Sequence, residues 1–158
     1  MKKLRRIGFL RILRDCGGAS AVEFALTLPI LVGMLVPTAD LGFGFYAQMR
    51  VQNAAQAGAE YAILHGWNNG ANVPAIEAAV ASATSLATIN ASPAPTQACG
   101  CANGTSIAPA ACTATCPDGA SPGSYVTVNA VAPYSPFLPY PLIGSSISLT
   151  AVSTVRVQ

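Results

Sequence analysis

The sequence predicts an α+β protein: a long N-terminal transmembrane helix extending into a small exported domain with a second helix and a short antiparallel sheet. Three observations carry this expectation. Residues 24–39 hold no charge, and Phe24 to Phe45 as helix would rise about 33 Å, enough to cross a hydrocarbon core. Residues 46–65 (YAQMRVQNAAQAGAEYAILH) follow without a Pro or a Gly pair and are rich in helix formers, so the helix should continue through them. Near the C-terminus, residues 125–131 and 147–157 alternate apolar and polar side chains, the period of a strand.

The chain has 158 residues, enough for an anchor and one modest domain. It is 52% hydrophobic and 9% charged, against about 25% charged in ordinary soluble domains. The formal charge of +2 is unevenly spread. Residues 1–18 set Lys2, Lys3, Arg5, Arg6, Arg11 and Arg14 against Asp15, a net of +5. Residues 19–158 set Arg50 and Arg156 against Glu23, Asp40, Glu60, Glu77 and Asp118, a net of −3. Without a basic patch in that larger part, nucleic acid is not an expected partner, because phosphate binding needs clustered Lys and Arg.

The same asymmetry orients the anchor: the basic leader should stay cytoplasmic, and residues from about Tyr46 onward should lie outside. An ordinary secretory signal would end in a small-x-small cleavage site. Ahead of Asp40, however, Pro37 takes the −3 position. Cys16 does not mark a lipoprotein either, because it precedes the apolar segment and follows the charged Arg14-Asp15.

The junction between leader and helix is Gly17-Gly18-Ala19-Ser20-Ala21-Val22-Glu23-Phe24. Cleavage between Gly18 and Ala19 would place Glu23 fifth and Phe24 sixth in the product. This order resembles the prepilin signal of type IV pilins and pseudopilins. The longer string ASAVEFALTLPILV, with DLGFGFYAQMRVQNAAQAGAEYA after it, resembles the TadE family of the tight-adherence (Tad/Flp) pilus system over about residues 17–65. The resemblance implies a prepilin-type leader at 1–18, a transmembrane helix at 19–46 and an exported domain at 47–158 with a Cys-rich loop at 97–123. It also implies a prepilin peptidase acting at Gly18 and Ala19, with Glu23 and Phe24 in the recognised segment. The implied partners are the inner membrane, other pilins or pseudopilins and pilus assembly proteins.

Beyond the anchor, Ala54, Gly58 and Ala62 recur every four residues, as do Val51, Ala55 and Ala59. Such small-residue ridges admit a close neighbour, either this protein's own sheet or another subunit. Gly66-Trp67-Asn68-Asn69-Gly70 should end the helix. A second helix is expected from Pro74 to about Ile89, with Ile76, Val80, Ala83 and Ala87 on one face. Residues 90–124, rich in Ala, Pro, Ser, Thr and Gly, read as loop. The two strands near the C-terminus should pair as a long-looped antiparallel hairpin resting on the helices. Pro133, Pro136, Pro139 and Pro141 exclude helix and central strand between them.

Individual residues carry bland readings beside functional ones. Asp40 near the outer end of the span is expected as a solvated boundary residue, with a role in assembly as the competing reading. Pro29 and Pro37 should kink the helix, since each removes an internal hydrogen bond. Tyr61 and Trp67 read as packing residues. Phe137, Leu138, Tyr140, Leu142 and Ile143 form an apolar loop whose default is internal packing. Glu23 is the costly one: an ionisable group in a span costs roughly 2.5–3.5 kcal/mol and usually has a partner.

Cys99-Gly-Cys101 and Cys112-Thr-Ala-Thr-Cys116 form a set of four. Structural zinc usually takes ligand pairs spaced by two to four residues, and the first pair here has one between. An exported location favours disulfides instead. Crosswise pairing is expected, as 99–112 with 101–116 or as 99–116 with 101–112. With one histidine, His65, and no nucleophile–base pair, paired carboxylates or phosphate-binding loop, no catalytic set, metal site or cofactor site is expected.

Two function classes follow. In the first, the chain is a processed minor pilin or pseudopilin that takes part in assembling a tight-adherence pilus for surface attachment and biofilm formation. It would sit in the bacterial inner membrane as a single-pass protein with a periplasmic C-terminal domain, or enter the pilus. In the second, it is an unprocessed, membrane-tethered binding module with a disulfide-stapled exported domain.

Overall fold

The computed structural model describes residues 18–86, 88–138 and 144–157. The basic leader with Cys16, and Ala87, Tyr140, Leu142 and Ile143, lie outside the described residues. The chain divides into two compact units, Met1–Leu41 and Gly42–Gln158. Its elements are α1 (Ala19–His65), α2 (Val73–Ser82), β1 (Thr96–Asn103), β2 (Ser106–Pro109), β3 (Gly123–Tyr134) and β4 (Ile147–Arg156). The architecture is α+β, with a long apolar N-terminal helix, a second helix and a four-stranded antiparallel sheet of order β2-β1-β3-β4.

Helix α1 carries Pro29 and Pro37 inside it and is assigned as helix without a break. It stops where the sequence offers breaker chemistry. Gly66 adopts φ +69°, and its N–H donates to the Ala62 carbonyl at 2.9 Å. That left-handed residue turns the chain out of the helix at no Cβ cost. Asn68 and Asn69 follow at φ 48° and 53°, and Gly70 at φ 84°. The Asn72 carboxamide donates to the His65 and Gly66 carbonyls, each at 3.0 Å. Two carbonyls near the helix end are thereby satisfied by a side chain.

In the second unit, Val51, Ala54, Ala55, Gly58, Ala59 and Ala62 form one buried stripe along α1. The spacing of three and four residues is that of a single helix face. The stripe packs with Ile76 and Val80 of α2 and with Val126, Val128, Ala130 and Ala132 of β3. The small-residue ridges therefore serve this chain's own core, the first of the two uses open to them. Val51, Ile76, Val80, Val126 and Val128 are the largest fully buried side chains, each worth roughly 1.5–3 kcal/mol of burial. Polar ties add to this packing: Gln48 Nε2 donates to the Thr150 carbonyl and Arg50 Nη2 to Ser85 Oγ, both at 2.8 Å.

Three expectations change. Helix α2 ends at Ser82 rather than near Ile89. Ser82 Oγ turns back onto the Ala78 carbonyl at 2.8 Å, and Thr84 and Ser85, just past Ala83, are weak helix formers. Residues 90–124 are not all loop: they contain β1 and β2, paired as a hairpin. Its connection is Gly104-Thr105, with Gly104 at φ +60°, the glycine-first turn that suits a two-residue hairpin. Strand β3 is also longer than its alternating stretch and takes in Pro133, opposite Ser148 of β4. Pairing with β1 covers only residues 123–127 of β3, so Pro133 lies where that flank has no β1 neighbour. A proline is tolerated at such an edge. The β3–β4 pair is the antiparallel, long-looped hairpin expected. Val152, the one apolar residue out of phase on β4, is 65% exposed.

Candidate anchor, processing junction and cysteine-bridged hairpin

The junction begins at Gly18, which is exposed and lies just before α1. A Cβ placed on it would meet nothing within 4 Å, and its backbone is not left-handed. Folding therefore does not require glycine there. Glu23 and Phe24 are both exposed, one turn into the helix. Thr27 Oγ1 donates to the Glu23 carbonyl at 3.1 Å, and Thr38 Oγ1 to the Met34 carbonyl at 2.8 Å. Both hydroxyls are thus satisfied by the helix itself, as hydrocarbon surroundings demand.

The helix from Ser20 to His65 is long and apolar enough to cross a membrane. Its most apolar 18-residue window has mean hydropathy 1.8, and none of that window is buried in the chain. A core helix of a soluble domain would be covered by its own fold. Here Phe24, Leu26, Ile30, Leu31, Met34 and Leu35 all stay exposed. At the other end of the first unit Asp40 is only 4% exposed, so it is buried rather than a solvated boundary residue. Among the described residues no buried side-chain oxygen or nitrogen lacks a hydrogen-bond partner.

The four cysteines of the second unit meet as two pairs. Cys99 and Cys112 have Cα atoms 5.1 Å apart, and Cys101 and Cys116 5.6 Å apart, with the sulfurs at disulfide distance in both. Cys99 and Cys101 are alternate residues of β1 and so lie on one face of it. Each then reaches a different point of the segment after β2. That segment is held by the Ala110 N–H on the Cys99 carbonyl at 3.0 Å and the Cys116 N–H on the Ala120 carbonyl at 2.9 Å. Asp118 Oδ1 accepts from the Ala120 N–H at 3.0 Å and shapes the turn between them. Among the described residues, no three His, Cys, Asp or Glu side chains cluster as a metal site requires.

His65 stacks on Tyr61 with ring centroids 4.0 Å apart and has no catalytic partner in that contact. Phe137 is 85% exposed and Leu138 37%, so the described part of the apolar loop is not packed inside as expected.

Residues 18–60 match the family model of TadE-like proteins. The TadE-like segment starts at the junction glycine, takes in the whole uncharged run and ends within the buried stripe of α1. The bridged hairpin and the β3–β4 pair lie outside the match. No curated protein and no solved structure matches the chain.

Proposed function

We propose that the chain is a minor pilin or pseudopilin of a tight-adherence pilus. It is processed between Gly18 and Ala19 and inserted once in the inner membrane with its leader cytoplasmic. The second unit is displayed outside, with Cys99–Cys112 and Cys101–Cys116 oxidised there. The partners in this reading are a prepilin peptidase, other pilins or pseudopilins and pilus assembly proteins, and the outcome is surface attachment.

The observation that carries the reading is the TadE-like match over residues 18–60, on a helix whose most apolar 18-residue window has no buried residue. Gly18 supports it further. Its glycine answers no demand of the fold, whereas a narrow peptidase site favours small residues around the scissile bond. The role is structural: subunit packing through the exposed helix, with no chemistry assigned to any side chain. N-terminal sequencing of the membrane-inserted product tests the processing, with Ala19 expected as the first residue. A product starting at Met1 or Asp40 overturns it. Recovery of the chain with sheared pili or with their assembly complex tests the association, and absence from both overturns it.

A further inference from the structure

The turn that ends α1 builds a cleft unrelated to the anchor. Gly66, Trp67, Asn68, Asn69, Gln97 and Val157 enclose about 240 Å³, below the roughly 300–1,000 Å³ of sites for drug-sized ligands. It is large enough for a single ring. None of the six lining residues is charged, so the cleft offers nothing to fix an ionic ligand. It does offer an indole and three carboxamides. Trp67 is half-buried and packs partly against the core, which fixes its ring. Asn68, Asn69 and Gln97 are exposed.

The two asparagines are the only non-glycine residues with positive φ among those described. Side chains in that region cost roughly 1–3 kcal/mol each, less for asparagine, and such residues gather at binding sites. The conformation turns consecutive residues out of a regular helix, and both asparagines line the cleft together with Trp67. Among the described residues none hydrogen-bonds to either carboxamide. Gln97 Nε2 donates to Ser124 Oγ, which orients the amide and leaves Oε1 to accept. Carboxamides both donate and accept, as a row of hydroxyl groups requires. An indole face supplies the apolar platform for the C–H face of a sugar ring.

We propose that Trp67, Asn68, Asn69 and Gln97 form a binding site for one ring of a neutral saccharide. The proposal is independent of pilus assembly, because it uses no residue of the junction or the anchor.

The chain has a single tryptophan, so its emission reports this cleft alone. The experiment titrates the detergent-solubilised full chain with glucose, galactose, mannose, fucose, N-acetylglucosamine and N-acetylgalactosamine. Glucuronate serves as the anionic control. A saturable emission change is expected with at least one neutral sugar, at a Kd in the millimolar range for so open a site. Asn69→Gly keeps the left-handed backbone without strain and removes only the carboxamide; Gln97→Ala changes an exposed strand position. Each should weaken binding about tenfold while the far-ultraviolet circular dichroism is unchanged. No saturable change with any neutral sugar overturns the proposal. So does glucuronate binding as tightly as the best neutral sugar, or wild-type affinity in both variants.

Discussion

Gly58 sits where α1, α2 and β3 converge. A Cβ there would lie 2.6 Å from Val80 Cγ2 and 2.9 Å from Val128 Cγ1, closer than such atoms come. Two effects oppose each other in Gly58→Ala. Helix propensity favours alanine by about 1 kcal/mol, while overpacking a filled core costs roughly 1–3 kcal/mol. Both blocking methyls belong to short, branched side chains with little room to swing, so overpacking wins. The expected outcome is a net loss of up to about 2 kcal/mol, read as a lower urea midpoint of the full chain in detergent. A midpoint that stays or rises refutes the reading. The residue scale also shows what a sequence leaves hidden. The four-residue recurrence of Ala54, Gly58 and Ala62 announced a close contact, but only tertiary structure could say that Val80 and Val128 fill it. Asp40 reads as a boundary residue because its hydropathic context is an edge, whereas in the structure its side chain is buried.

Among the elements, β3 and β4 were legible because alternation survives wherever one face of a strand is buried. The β1–β2 hairpin was not. Its strands are Thr-Gln-Ala-Cys-Gly-Cys-Ala-Asn and Ser-Ile-Ala-Pro, whose mostly exposed positions impose no alternation. A usable signal is nonetheless present, the glycine-first pair Gly104-Thr105 between two short runs. It was outweighed by the Ala, Ser, Thr and Pro content of the surrounding residues. A hairpin with so little burial depends on its cross-links. In freshly exported protein, non-reducing peptide mapping should find Cys99 joined to Cys112 and Cys101 to Cys116, with no alkylatable thiol among the four. Free thiols, or the crossed pairing, would refute this arrangement. The 13-residue separation of the first bridge sets the scale of its effect, roughly 3 kcal/mol in the chain-entropy account. Cys99→Ser with Cys112→Ser should therefore shift the second unit's unfolding by about that amount, and reducing agent should then lower the midpoint less than in wild type.

At the scale of the whole molecule, the first third of the chain reads more directly than the rest because membrane insertion imposes simple rules: length, absence of charge and a basic flank. The uncharged run, the junction and most of the TadE-like segment fall there. The two-helix, four-strand unit had to be assembled from weaker local signals. The two halves also predict separable defects. Gly18→Leu should leave the precursor uncut, visible as a heavier band, because the bulk meets the peptidase and not the fold. Glu23→Ala should be cut and inserted normally yet fail to join its partners. After cleavage the Ala19 amine lies one helical turn from Glu23. A carboxylate facing lipid alone is costly, whereas one facing an ammonium, in its own helix or in a neighbouring subunit, is offset by attraction. Such a pair also sets the axial register between helices, since slippage by one turn leaves both charges unpaired. In-membrane crosslinking of processed wild-type and Glu23→Ala protein measures this directly. Partner recovery should fall sharply in the variant while its processed fraction stays constant. Equal recovery would leave Glu23 as a carboxylate wetted by headgroups, and an uncut Glu23→Ala would move its role from assembly to peptidase recognition.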